Sequence, residues 1–145
     1  MATAATISAD ALSRITNAAY VGNNYEVALV DSPGTTFGAD DPFATVLAGE
    51  VQAGLGGYAR QTIGFVPTDE GTFADGKIEL ARKAAQFTHD GTPSEVIRFS
   101  HVVLISPGGT EIESVAKLAK RTALSDGQTA IYFFDVTVYG VFVAS

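Results

Sequence analysis

Two histidines, sixteen carboxylates and a glycine cluster are the residues of this 145-residue chain whose types can do chemistry. Histidine is the side chain that switches charge near neutral pH and the commonest metal ligand. His89 and His101 have neither H-x-x-x-H nor H-x-x-E spacing, so they do not form the close ligand pair of a zinc site. His101 shares the alternation of Ile97, Phe99, Val103 and Ile105, which predicts an inward ring with hydrogen-bonded nitrogens. His89 lies in Thr88-His89-Asp90-Gly91 and is expected in an exposed turn. No G-x-S-x-G elbow is present. Ser100 and His101 are neighbours expected on opposite faces of one strand, which is no nucleophile–base pair.

The carboxylates are similarly undirected. Glu50, Asp69, Glu70, Glu79 and Glu95 can meet in space as an acid–base pair, but nothing in their spacing selects two of them. Asp40-Asp41 and Asp69-Glu70 fall in loops without the alternating ligand pattern and glycine of a calcium hand. Asp135 interrupts an apolar strand, so it is expected to be buried and paired, with Arg98 or Arg60 as partner. Gly54-Leu55-Gly56-Gly57 precedes a strand, not a helix, and no Lys-Ser/Thr follows it. A turn is therefore the reading, not a phosphate loop. No catalytic residue, cofactor or metal is predicted.

Composition narrows the class. Nine basic against sixteen acidic residues give a net charge of −7 and a pI near 4.6. Nucleic-acid binders cluster Lys and Arg, whereas here only Lys117, Lys120 and Arg121 lie together. Cysteine is absent, which removes disulfides, thiolate metal sites and thiol nucleophiles. No apolar run approaches the ~18 residues of a membrane helix, and the first residues lack the layout of a secretory signal. Synthesis in a cytoplasm without membrane insertion is the expectation. Only 17% of residues are charged against 46% hydrophobic, where about a quarter charged is usual. Cover by other subunits accounts for that excess.

The elements that must position these residues are mostly strands. Residues 8–19 read as a short helix, with Ser8 as N-cap and Leu12, Ile15 and Ala19 on one face. Strands are predicted over 25–30, 58–66, 96–105 and 129–143, punctuated by Asp31-Ser32-Pro33-Gly34, Pro67, Pro107-Gly108-Gly109 and Asp126-Gly127. Asp75-Gly76 has the type of a hairpin turn and leads into 77–88. That stretch reads as strand, although Glu79 and Lys83 also have helical spacing. Residues 112–124 fit either period. With no βαβ rhythm, the expected fold is all-β: an antiparallel β-sandwich or jelly roll over 25–145, with 1–24 as an N-terminal arm or short helix. Over 129–143 both parities are apolar, so each face of that ribbon needs protein cover.

The order of certain segments resembles small bacteriophage virion proteins of the head-decoration, head-fibre and tail-fibre kind. Tyr25-Glu26-Val27-Ala28-Leu29-Val30 is similar to their opening strand, and Gly57-Tyr58-Ala59-Arg60-Gln61 to their G-Y-x-R-Q strand. Phe99-Ser100-His101-Val102-Val103-Leu104 resembles the middle strand, and Lys120 to Thr129 the terminal hairpin. The likeness runs over about 25–139. It implies a β-sandwich module in several copies with no catalytic residues to carry over, and it turns 112–124 from helix to strand. The longer N-terminus departs from the pattern and is the part expected to dock on the particle.

The resulting expectation is a non-enzymatic virion structural protein, a capsid decoration or fibre-adaptor component. It would bind copies of itself, as a trimer, and other virion proteins such as the major capsid or tail proteins. Tyr25, Tyr58, Tyr132, Tyr139 and Phe142 are the expected interface anchors, because aromatics dominate contact energetics. The alternative is a carbohydrate- or receptor-binding module of a phage tail.

Overall fold

Ser8 starts the first helix: its side-chain oxygen accepts the Ala11 N–H at 3.2 Å, satisfying one of the unpaired donors of a helix start. The computed structural model describes residues 3–6, 8–38, 40–139 and 141–144, with side chains placed for these except 3–6, 72, 139 and 141–144. Helix α1 spans Ala9–Tyr20 and a short α2 spans Phe43–Val46. The strands are β1 (Thr3–Thr6), β2 (Asn24–Val30), β3 (Gln61–Gly64), β4 (Thr72–Ala74), β5 (Lys77–Glu79) and β6 (Lys83–Thr88). They continue with β7 (Ile97–Ile105), β8 (Ile112–Leu124), β9 (Thr129–Phe134), β10 (Thr137–Tyr139) and β11 (Val141–Ala144). The fold is mainly β with antiparallel sheets and a short N-terminal helix, as the sequence predicts.

The chain divides into two compact units. One comprises 1–23, 64–83 and 133–145; the other comprises 24–63 and 84–132. In the first unit, β4 and β5 form a hairpin on Asp75-Gly76, both at positive φ as a two-residue turn of this type requires. β10 pairs with β5, and β1 pairs with β11. α1 lies beside the β4–β5 hairpin and buries Leu12 and Thr16. Ile15, expected on the same buried face as Leu12, is instead exposed.

The second unit holds the four-stranded sheet β3-β2-β7-β8, with β3 over 61–63, and the β6–β9 ribbon over 84–88 and 129–132. β2 and β7 are its centre, paired from Glu26↔Ile105 to Val30↔His101. Both are buried on two faces, which is why they read as nearly continuous apolar runs. Ala28, Val30, Val46, Val103 and Ile105 form a core, closed by Phe37, Phe43, Leu47, Ile112 and Val115. The ribbon supplies further cover, Tyr132 meeting Phe99 edge-on with ring centroids 6.0 Å apart. Phe87 stacks on Tyr58 at 6.1 Å. Residues 112–124 are strand, and 77–88 is two strands rather than one.

Four sequence expectations are corrected. The apolar run 129–143 is broken at Asp135 and Val136 into β9, β10 and β11. Asp135 therefore sits in the break, exposed, and both of its oxygens accept from Arg82 at 2.8 Å rather than from Arg98 or Arg60. The predicted strand 58–66 is regular only over β3, and the Tyr58 backbone is instead held by the glycine turn, its N–H donating to the Leu55 carbonyl and its carbonyl accepting the Gly54 N–H, both at 2.9 Å. His89 is not in an exposed turn but 1% accessible.

Candidate functional site

Glu50 gathers the densest polar cluster of the second unit. Its Oε2 accepts from the Tyr58 hydroxyl at 2.8 Å and from Arg60 Nε at 2.8 Å; Oε1 accepts from Arg60 Nη2 at 2.8 Å. Arg60 Nη1 donates to Glu26 at 2.9 Å, so one fork joins β2 to the loop before β3. The Tyr58 oxygen also accepts the Leu29 N–H at 3.1 Å. Burial pushes the Glu50 carboxyl up, but the hydrogen bonds from Arg60 and Tyr58 and the Arg60 charge outweigh it and leave the pKa lowered. Burial, then Glu50, holds the Tyr58 phenol above its ordinary value. A general acid needs a raised carboxyl pKa; Glu50 has the opposite. The cluster is a clamp.

The other chemistry-bearing residues are likewise engaged. His89 Nδ1 accepts the Gly91 N–H at 2.9 Å, and Nε2 lies 2.9 Å from the Glu95 carbonyl, which fixes the Nε2–H tautomer. The Glu95 carboxylate accepts the Gly56 N–H at 2.6 Å, and Asp90 N–H donates to the Gly56 carbonyl. The glycine cluster is thus a turn wrapped against the His89 loop, with Gly54, Gly56 and Gly57 all at positive φ. Sequence reasoning missed this because loop 89–95 and the glycines meet only in three dimensions.

Ser100 and His101 are not separated by a strand. The β7–β8 register shifts between Phe99 and His101, where residues 118–121 stand opposite Ser100, and the irregularity brings Ser100 Oγ to 2.7 Å from His101 Nδ1. The third member is the Thr35 carbonyl, 3.0 Å from Nε2, and Ser100 Oγ accepts the Ser32 N–H. A carbonyl cannot stabilise an imidazolium as a carboxylate does, and both side chains are buried. The chain of bonds fastens loop 32–35 to β7. As expected, His101 points inward and is fully buried.

The acidic loops have protein partners too. Asp69 is held by Lys83 at 2.7 Å and by the Val66 N–H, which lowers its pKa. Asp41 accepts the Gly38 N–H, and Glu79 pairs with Lys77. Among the described residues no group of three or more His, Cys, Asp or Glu is arranged to hold a metal.

Of the expected interface aromatics, Tyr25 and Tyr58 are buried, 3% and 4% accessible, which corrects their assignment: neither has surface to offer a neighbour. Tyr132 is half-buried against Phe99. The side chains of Tyr139 and Phe142 lie outside the described residues. What the unit does expose is the outer face of the β6–β9 ribbon. The Thr88 and Thr129 hydroxyls are 2.9 Å apart on that face, and alternation adds Ala84, Gln86 and Ile131, all exposed. Phe133, in the first unit, is 59% accessible, with the Arg82 guanidinium 5.3 Å from its ring centroid. Comparison with known protein families, curated proteins and solved structures finds no match.

Proposed function

We propose that this chain is a non-enzymatic structural protein that works by contact between subunits, as a component of a bacteriophage virion. The observation that carries the contact reading is the ribbon face of Ala84, Gln86, Thr88, Thr129 and Ile131, which is exposed and carries no charge. On a chain with net charge −7, this is a surface where another copy can approach without desolvating ions. Covering an aliphatic side chain the size of Ile131 contributes roughly 1.5–3 kcal/mol when complete. Repetition over several copies makes such weak contacts durable. The virion as the setting rests on the segment order that resembles small phage head and fibre proteins.

Light scattering and sedimentation of the purified chain test the reading. The expected parent is a homo-oligomer, a trimer, and Ile131→Asp is expected to be a monomer with an unchanged melting temperature. A parent that stays monomeric at every concentration would sink the proposal. A variant that still assembles would move the contact elsewhere.

A further inference from the structure

We infer that a cleft beside Arg98 in the second unit receives a carboxylate from an acidic partner polypeptide. The cleft, about 350 Å³, is lined by Asp31, Gly49, Glu50, Val51, Leu55, Val96, Arg98 and Arg121. Backbone pairing builds one wall: Asp31 N–H donates to the Gly49 carbonyl and Val51 N–H to the Leu29 carbonyl, at 2.8 and 3.0 Å. The register shift in β8 shapes the opposite side. Residues 118–121 leave the ladder there, and Arg121 reaches Asp31 with Nε and Nη2.

The lining carries two carboxylates and two guanidinium groups, and among the described residues only one of the four lacks a partner. Asp31 is matched by Arg121, and Glu50 shares Arg60 with Glu26. Arg98 is exposed on β7, opposite Ala123, and its guanidinium has no hydrogen-bond or ion-pair partner among the described residues. A planar fork of five donors suits a carboxylate held side-on, the geometry that Asp31 already adopts on Arg121. Val51, Leu55 and Val96 lie beside it as half-buried or buried apolar surface, which fits the methylene stem of a Glu side chain and its aliphatic neighbours. The cleft holds one side chain, not an extended ligand. This site stands apart from the ribbon face and does not rest on self-association.

The test is a methyl NMR titration of the full chain with acetyl-Leu-Glu-Leu-amide, its Gln counterpart, and acetate alone. The Glu peptide is expected to move the Val51, Leu55 and Val96 resonances saturably, with a Kd on the order of 1 mM for one exposed pair plus apolar contact. The Gln peptide and acetate are each expected to bind at least about tenfold more weakly. Arg98→Gln is expected to abolish the shifts, and Arg98→Lys to weaken them. Equal response to the Glu and Gln peptides, retention of the shifts in Arg98→Gln, or no shifts at all would overturn the inference. Acetate binding as tightly as the peptide would overturn the polypeptide partner. Should Arg98→Gln melt below the parent, the comparison of peptides on the parent decides alone.

Discussion

Glycine positions separate two kinds of constraint in this protein. Gly54 and Gly56 both have positive φ, 88° and 57°, but a Cβ on Gly54 meets nothing within 4 Å. On Gly56 it would sit 2.6 Å from His89 Cδ2, against a ring held at both nitrogens. Gly54→Ala is therefore expected to cost about 1 kcal/mol, from backbone strain alone. Gly56→Ala adds a clash with a buried ring and is expected to cost roughly 2–4 kcal/mol. Urea midpoints measure both, and equal midpoints would refute the packing role of His89. Glu50 sets a second residue-level expectation. Its folded pKa lies below the ordinary 4.5, so the unfolded chain binds the proton more tightly. The stability it contributes is complete above pH 4.5 and is lost as pH falls through the lowered folded value. Glu50→Gln should flatten that acid loss while lowering stability at pH 7, because Arg60 then keeps Glu26 as its one charge partner. An unchanged acid profile in the variant would show that the other lowered carboxyls, Asp69, Asp90 and Asp135, govern it. Little of this was legible in the sequence. The Glu50 clamp joins residues far apart in the chain, and His89 has the look of a turn residue because Asp90-Gly91 follows it, whereas the turn of that loop is at Pro93-Ser94.

Elements were easier to read where local chemistry and tertiary context agree. β7 is apolar, β-branched and bounded by Pro107-Gly108-Gly109, and it forms nearly as the pattern demands. Asp75-Gly76 and Asp126-Gly127 turn with both residues at positive φ, as their types require. Failures occurred where the ladder is irregular. The alternation rule put Ser100 and His101 on opposite faces, but a register shift cancelled it. The same shift interrupts the pairing of β8, the outer strand of its sheet, with β7, and with Lys117 and Lys120 it guards an exposed edge against pairing. In α1 the sequence selected Leu12 and Ile15, yet the face that packs carries Leu12 and Thr16. Thr16 is 1% accessible and its hydroxyl has no hydrogen-bond partner among the described residues. Thr16→Val keeps the β-branched shape and removes an unsatisfied buried oxygen, so a gain of about 1 kcal/mol is expected. Differential scanning calorimetry would show it as a raised melting temperature; a lowered one would mean that the hydroxyl is satisfied in solution.

At the scale of the whole molecule, charge and apolar surface pull association in opposite directions. Sixteen acidic and nine basic residues make each copy repel the next, while the β6–β9 ribbon exposes Ala84, Gln86, Thr88, Thr129 and Ile131, none of them charged. Added salt shortens the screening length from about 14 Å near 0.05 M to about 4 Å near 0.5 M, weakening repulsion between copies and leaving apolar contact intact. Self-association through the ribbon should therefore tighten with salt. A contact made by Arg98 and a partner carboxylate should loosen over the same range, because screening acts on the attraction itself. Sedimentation equilibrium of the parent and of Arg98→Gln across that salt series separates the two surfaces. The ribbon predicts stronger assembly with salt in both proteins. Weaker assembly with salt in the parent, lost in Arg98→Gln, would instead place the contact between copies in the charged cleft.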